Sequence, residues 1–234
     1  MQILIDIGVV IIGYLLGSIS FGYLIVKIST GKDVRTVESG RTGGTNAMRA
    51  AGFGAGFLTA LLDVAKGAAA VWAAQAIRPE SDLVHVLAAV AAIVGHNYSF
   101  FMMERDENGM LRFRGGAGAM PALGGAVGFW AWSFPIIFGL GALVLFTLGM
   151  ASVATMAVGL CVIIVFAIRA SLGLMPWIYV LYGVIAELLL IWALRPNIQK
   201  IIAGNERVIN MSLAGKLRAR KEQQASAGST DEGG

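Results

Sequence analysis

The stretch Ser39-Gly-Arg-Thr-Gly-Gly-Thr-Asn-Ala-Met-Arg49 is the polar segment around which an otherwise apolar chain is organised. Its eleven residues include three glycines, three hydroxyl side chains, one asparagine and two arginines. Glycine N–H groups and guanidinium groups together suit the binding of an anion. The composition therefore predicts an anion-binding loop, and an ordinary connection between two membrane helices is the alternative.

The composition of the whole chain excludes an ordinary soluble domain. Of the 234 residues, 57% are hydrophobic and 14% are charged, and the mean hydropathy is +0.74. The apolar run from Ile3 to Ile28 lacks a basic start and contains Asp6, which favours a retained spanning helix over a cleaved signal peptide. We therefore expect an integral membrane protein.

Apolar runs predict an all-α fold with about seven transmembrane helices. The stretch 118–149 is too long for one span and contains Pro135, so it is divided into two. The predicted spans are 3–28, 54–77, 83–103, 118–132, 135–149, 153–168 and a last one that ends near Leu194.

Basic residues are concentrated in three segments, 27–49, 105–114 and 195–221. The positive-inside rule places these segments in the cytoplasm, so the N-terminus is expected outside and the C-terminus in the cytoplasm. A single transmembrane domain is expected over 1–209. A charged, disordered cytoplasmic tail is expected over 210–234.

Several ionisable residues lie within the predicted spans. Asp63 and Lys66 are three residues apart, so they share a helix face, where they form an internal ion pair or serve a function directly. His96 near the inner end of its span is interpreted as a helix-packing residue, with a proton carrier or ligand as the alternative. Glu187 is unpaired and receives no role.

A second polar cluster, Arg114-Gly-Gly-Ala-Gly118, directly precedes an apolar helix. A glycine turn at a helix start offers N–H groups to a phosphate, and a flexible helix start is the alternative. Backbone N–H and C=O groups at membrane depth must be hydrogen-bonded within the protein or line a cavity. The loop 29–51, here called the first loop, is therefore expected to form one cytoplasm-facing pocket with this turn, Ser152 and Asn197. His, Cys and carboxylate residues do not cluster at metal-ligand spacing, so neither a metal nor a cofactor is expected.

These motifs, in this order, resemble the PlsY family of bacterial membrane acyltransferases. The family pattern Ser-Gly-Asn-x-Gly-Ala-Thr-Asn-x-x-Arg is matched by Ser39, Gly40, Gly43, Thr45, Asn46 and Arg49. Its Leu-Asp-x-x-Lys-Gly, Gly-His and Phe-Lys-Gly-Gly-Lys-Gly patterns are similar to Leu62–Gly67, Gly95–His96 and Phe113–Gly118. Its Arg-x-Asn-Ile and Gly-x-Glu patterns are similar to Arg195–Ile198 and Gly204–Glu206.

The resemblance implies a seven-span enzyme of the bacterial plasma membrane with a cytoplasmic active site. It implies transfer of a fatty acyl group from acyl-phosphate to the first hydroxyl of glycerol 3-phosphate, giving lysophosphatidate for phospholipid synthesis. Membrane lipids are the other expected partners, and nucleic acid is not expected. The alternatives are a homologue that only binds a phosphorylated metabolite or lipid, and a transporter of small phosphorylated anions.

The resemblance also implies roles for particular residues. The residues assigned to catalysis are Ser39, Asn46, Arg49 and Asn197. Those assigned to substrate or phosphate binding are Gly40, Arg41, Gly43, Thr45, Arg114, Gly115, Gly116, Gly118 and Ser152. Those assigned to support of the site are Asp63, Lys66 and His96.

The chain departs from the family pattern at positions that bear on phosphate binding. Arg41 replaces an asparagine, Ala117 replaces the second lysine of the glycine turn, and Leu194 replaces a histidine. In place of the family's Arg-Tyr-x-Ser-x-x-Ser segment the chain has residues 149–155, which lack the arginine and the tyrosine. The sequence therefore predicts a divergent member with altered phosphate contacts.

Overall fold

The structure, a computed structural model, describes residues 1–220 and is helical almost throughout. Its helices are α1 Gln2–Ser18, α2 Phe21–Thr30, α3 Gly44–Ala51, α4 Phe53–Ile77, α5 Asp82–Asn97, α6 Ala119–Phe129, α7 Ser133–Leu148, α8 Ala151–Ser171 and α9 Ile178–Ile202. Short 3-10 turns lie at Val34–Thr36 and Phe100–Met102, and the strands β1 Met103–Arg105 and β2 Leu111–Phe113 form an antiparallel hairpin.

Five helical segments within residues 1–220 are long and apolar enough to cross a membrane. They are Gln2–Thr30, Phe53–Ile77, Asp82–Met102, Ala151–Ser171 and Ile178–Ile202. The two shorter apolar helices α6 and α7 divide the 118–149 stretch as predicted. Pro135 lies in the first turn of α7, where a proline removes no intrahelical hydrogen bond.

Small residues allow the helices around the site to pack closely. A Cβ atom at Gly17 of α1 would collide with the backbone of Ala92 in α5. A Cβ atom at Gly67 of α4 would collide with the backbone of α6, and one at Gly124 of α6 would collide with that of α4. These contacts pack α1 tightly against α5 and α4 tightly against α6, and the charged residues Asp63 and Lys66 of α4 are buried in the bundle.

The apolar core lies among α4, α5, α6, α7, α8 and α9. Ile93, Leu123 and Phe166 are fully buried there. Tyr182 is also fully buried, and its hydroxyl donates a hydrogen bond to the carbonyl oxygen of Ala122 at 2.7 Å. Burying a hydroxyl costs little free energy when it has a hydrogen-bond acceptor. This bond therefore fixes α9 against α6.

Several helix boundaries differ from the predicted spans, and two of the differences bear on the site. The first span is broken between α1 and α2 at Ile19 and Ser20. The last helix does not end near Leu194 but continues through Pro196 to Ile202, which brings its polar end to the site. Of the tail predicted over 210–234, the structure describes residues 210–220, of which 213–220 are helical. Residues 221–234 lie outside the described residues, and the disorder expected there stays a prediction.

Candidate active site

The polar segments converge on a cleft of about 420 Å³, here called the main cleft. The predicted site residues that line it are Ser39, Arg41, Gly43, Thr45, Asn46, Arg49, Asp63, His96, Gly118, Ser152 and Asn197. The first loop and the glycine turn are joined directly, because the Thr42 N–H donates to the carbonyl oxygen of Gly115 at 3.2 Å. Ala117 and Leu194, the apolar departures, line the same cleft.

A smaller cleft of about 200 Å³, here called the minor cleft, adjoins the main cleft at Ser39 and Arg41, which line both. The predicted site residues found only in the minor cleft are Gly40, Arg114, Gly115 and Gly116. The structure thus divides the predicted pocket into two clefts, with the Arg41 side chain between them.

Asn46 fixes the conformation of the first loop. It is 2% exposed, and its Nδ2 donates to the carbonyl oxygens of Val34, Val37 and Arg41 at 3.0, 2.9 and 2.9 Å. Both amide hydrogens are therefore committed to backbone, in bonds that draw the loop onto the start of α3. The amide nitrogen therefore positions the loop, and the catalytic role predicted for Asn46 stays a prediction.

Arg41 is held against the last helix. Its Nη2 donates to the carbonyl oxygen of Ala193 at 2.7 Å. Burial lowers the pKa of the Arg41 guanidinium from its ordinary value, and the nearby Glu206 carboxylate opposes that shift. Because an arginine side chain keeps its charge in proteins, Arg41 places a fixed positive charge at the boundary of the two clefts.

Thr45 and Arg49 lie one helical turn apart on α3 and both line the main cleft. Within residues 1–220 neither side chain forms a hydrogen bond or an ion pair. Arg49 is exposed, and Thr45 is partly buried. Both side chains are therefore available to an anion that enters the main cleft.

Glu206 was not predicted as a site residue, although it lies in the main cleft. The Ser152 hydroxyl donates to Glu206 Oε1 at 2.7 Å, and Asn197 Nδ2 donates to Oε1 and Oε2 at 3.1 and 3.4 Å. The Gly204-x-Glu206 match was the available signal. Two predicted donors, Ser152 and Asn197, are therefore engaged by a carboxylate of the chain itself.

The segment after α9 lines part of the main cleft through Asn205, Glu206 and Arg207. The Ile209 N–H donates to the carbonyl oxygen of Gly149 at 2.8 Å, and Arg207 forms an ion pair with Glu38 of the first loop. Glu38, Arg207 and Lys200 of α9 also line the cleft and were missed by sequence reasoning. These charged residues of the cleft therefore come from segments that are far apart in the sequence, one before α3 and the other at the end of α9 and beyond.

Asp63, Lys66 and His96 form a buried polar cluster at the base of the main cleft. Lys66 Nζ lies 2.8 Å from Asp63 Oδ1, 2.9 Å from His96 Nδ1 and 2.7 Å from the carbonyl oxygen of Ile19. The predicted ion pair of Asp63 and Lys66 is confirmed. The third contact satisfies a carbonyl at the break between α1 and α2.

The cluster also defines the orientation of the His96 ring. A lysine ammonium has three hydrogens and no acceptor, so His96 Nδ1 accepts and the neutral ring carries its proton on Nε2. The Nε2 edge faces Gly116, whose N–H donates to the carbonyl oxygen of His96 at 2.9 Å. The Gly116 N–H is thus not the free phosphate donor that was predicted, because the turn uses it to attach to α5.

The model of the glycerol-3-phosphate acyltransferase family matches residues 7–204. The chain belongs to this family. It is 36% identical over 218 residues to glycerol-3-phosphate acyltransferase 3 of Dehalococcoides mccartyi (strain CBDB1), covering 86% of this chain and 94% of that protein. It is 38% identical over 202 residues to the glycerol-3-phosphate acyltransferase of Methylobacillus flagellatus, covering 84% and 93%. The resemblance found in the motifs is confirmed.

A solved structure of the acyltransferase family has the same fold. The crystal structure of PlsY, an integral membrane glycerol 3-phosphate acyltransferase, in its glycerol 3-phosphate form is 27% identical, with a TM-score of 0.74. The match covers 87% of this chain and 95% of that one. The lysophosphatidic acid form gives 26% identity and a TM-score of 0.73. The chain is therefore an integral membrane protein of the acyltransferase family.

The packing of Gly116 against the His96 ring in this acyltransferase homologue can be tested by substitution. A Cβ atom at Gly116 would overlap the His96 ring, so Gly116→Ala is expected to displace the ring from Lys66. The overpacking should cost about 1–3 kcal/mol, measured as a lower thermal unfolding midpoint in detergent. Gly139→Ala is the control, since a Cβ atom there meets nothing within 4 Å. Equal midpoints for the two variants would contradict the packing described here.

Proposed function

We propose that this chain transfers a fatty acyl group from acyl-phosphate to the sn-1 hydroxyl of glycerol 3-phosphate and releases lysophosphatidate and phosphate. The observation that carries the proposal is the amphiphilic lining of the main cleft. Arg41, Arg49 and Lys200 provide positive charge, and Phe53, Phe57 and Phe138 provide an apolar wall. A single cleft can therefore accept both the charged head and the apolar chain of an acyl-phosphate.

The reaction needs little covalent chemistry from the protein. The glycerol hydroxyl oxygen bonds to the acyl carbonyl carbon, the bond from that carbon to the phosphate oxygen breaks, and phosphate leaves with the electron pair. The hydroxyl proton passes to the phosphate. Because acyl-phosphate is already activated, the tasks left to the site are to position the hydroxyl and to stabilise the developing oxyanion.

The cleft residues divide these tasks as follows. Arg49, Thr45 and Arg41 hold phosphate oxygens, and Ser39 borders both clefts beside them. Asn197 and Ser152 release Glu206 and bind the glycerol 3-phosphate, since the substrate and the carboxylate compete for the same donors. The residues Gly40, Gly43, Arg114, Gly115, Gly116 and Gly118 shape the two clefts, and Asp63, Lys66 and His96 support them from below.

A direct assay tests the proposed reaction. Purified protein in liposomes is incubated with palmitoyl-phosphate and radiolabelled glycerol 3-phosphate, with palmitoyl-CoA as the comparison donor. We expect labelled lysophosphatidate with the acyl-phosphate. Tight binding of glycerol 3-phosphate without product would favour the homologue that only binds a phosphorylated metabolite, which the apolar residues Ala117 and Leu194 in the cleft make the second candidate.

We propose further that all seven apolar segments cross the bacterial plasma membrane, with the N-terminus outside and the main cleft open to the cytoplasm. The seven apolar helical segments and the basic segments 27–49, 105–114 and 195–221 support this arrangement. An odd number of crossings puts the two ends of the domain on opposite sides.

Cysteine labelling tests this topology. Cys161, the single cysteine of the sequence, is first replaced by alanine. In this Cys161→Ala background, Asn108→Cys in the hairpin is expected to react with a membrane-impermeant maleimide only after the membrane is permeabilised. Glu80→Cys, between α4 and α5, is expected to react in intact cells. The reverse pattern of labelling would exclude a cytoplasmic site.

A further inference from the structure

The face of α9 that borders the main cleft presents residues at intervals of three positions. Leu194, Asn197 and Lys200 all line the cleft, as residues three apart on one helix face would. Leu194 is buried, Asn197 is partly buried and Lys200 is exposed. Lys200 therefore stands at the aqueous end of the same row that carries Asn197.

Within residues 1–220, some charged side chains of the main cleft form ion pairs and others do not. Arg207 pairs with Glu38, and Asp63 pairs with Lys66. Glu206 is bound by neutral donors rather than by a cation. Among residues 1–220, these pairings leave three cations of the cleft lining without a carboxylate within ion-pair distance, namely Arg41, Arg49 and Lys200.

Of these three cations, Arg49 and Lys200 have side chains that form no hydrogen bond within residues 1–220 and are exposed. Arg41 is fixed to the carbonyl oxygen of Ala193, and Arg49 lies on α3 beside Thr45, which leaves Lys200 as the unbonded cation of α9. In the described part of the chain, the Lys200 side chain forms no hydrogen bond. A lysine ammonium is a compact charge on a flexible four-carbon stem, which suits a phosphate arriving from water.

We propose that Lys200 binds the phosphate of glycerol 3-phosphate and supplies from α9 the positive charge that Ala117 and Leu194 do not provide. This inference rests on the proposed acyl transfer and names a further binding residue for it. Ala117 and Leu194 lie in the same cleft as Lys200 and offer no donor. The acyl-phosphate chain belongs at the apolar wall, so Lys200 serves the water-soluble substrate.

The kinetic test is Lys200→Ala in the reconstituted protein. The KM for glycerol 3-phosphate is expected to rise roughly tenfold, as for the loss of one charge-assisted hydrogen bond at an exposed site. The KM for palmitoyl-phosphate should stay unchanged, and Lys200→Arg should retain the normal KM for glycerol 3-phosphate. Lys32→Ala, which removes the same charge from an exposed position outside both clefts, should leave both constants unchanged.

A second substitution distinguishes a phosphate contact from a structural effect. Lys200→Ala combined with Ala117→Lys should recover most of the affinity for glycerol 3-phosphate, because the new lysine enters the same cleft from the glycine turn that precedes α6. The thermal unfolding midpoint of Lys200→Ala should match that of the unaltered protein. A KM like that of the Lys32→Ala control, or no recovery in the combined variant, would overturn the proposal.

Failure of the proposed reaction is distinguishable from failure of this inference. If the unaltered protein forms no lysophosphatidate, the acyl transfer is wrong. Titration calorimetry with glycerol 3-phosphate alone, on the unaltered protein and on Lys200→Ala, still tests the lysine. Equal dissociation constants, or no measurable binding to the unaltered protein, would refute its role in phosphate binding.

Discussion

Lys66→Met is expected to lower the free energy of unfolding by about 3–5 kcal/mol, the cost of leaving a buried charge without its partner. Asp63 is 1% exposed and Lys66 is 4% exposed, so water does not replace the lost ammonium. The same substitution removes a donor from His96 Nδ1 and from the carbonyl oxygen of Ile19. Chemical unfolding of the purified protein in detergent measures the loss.

Two controls identify the cause of that loss. Asp63→Asn together with Lys66→Met removes both charges and should recover a large part of the stability, because a neutral pair carries no uncompensated charge. Arg112→Met breaks an ion pair with Asp106 on the hairpin, where Arg112 is 60% exposed, and should leave the unfolding transition nearly unchanged. A double variant as unstable as Lys66→Met would contradict the electrostatic explanation.

The helices of the fold were predictable because each apolar run is a local property of the sequence. Pro135 and the length of 118–149 predicted two helices, and α6 and α7 are those helices. The break after α1 and the extension of α9 past Leu194 were not predictable from their own residues. The first is stabilised by Lys66 at the carbonyl of Ile19, and the second carries Asn197, which donates to Glu206 of the segment that follows α9.

The sequence predicted which residues line the site better than it predicted what each of them contacts there. Motif order and charge were enough to place Arg49 and Asn197 in one pocket. They did not reveal that the Asn46 amide holds its own loop, or that the Gly116 N–H is bonded to α5. They also did not reveal that the Glu206 carboxylate accepts hydrogen bonds from both Ser152 and Asn197. Hydrogen bonds between residues far apart in the chain leave no pattern in the sequence.

Arg49→Ala is expected to reduce kcat/KM for acyl transfer by about 100- to 1,000-fold, the range for removing a donor that stabilises developing charge. Arg49 lines the main cleft beside Thr45 and is engaged by no other side chain within residues 1–220. Its charge is therefore available to substrate, and its removal should not alter folding. The assay with palmitoyl-phosphate and glycerol 3-phosphate measures the change.

Arg105→Ala is the matched control, because this exposed arginine of β1 lies outside both clefts. It should retain full turnover. Arg49→Lys should recover only part of the activity, since an ammonium keeps the charge but loses the bidentate geometry of a guanidinium on phosphate. If Arg49→Ala inserts normally, keeps its unfolding midpoint and turns over at the rate of the Arg105→Ala control, Arg49 has no part in the reaction.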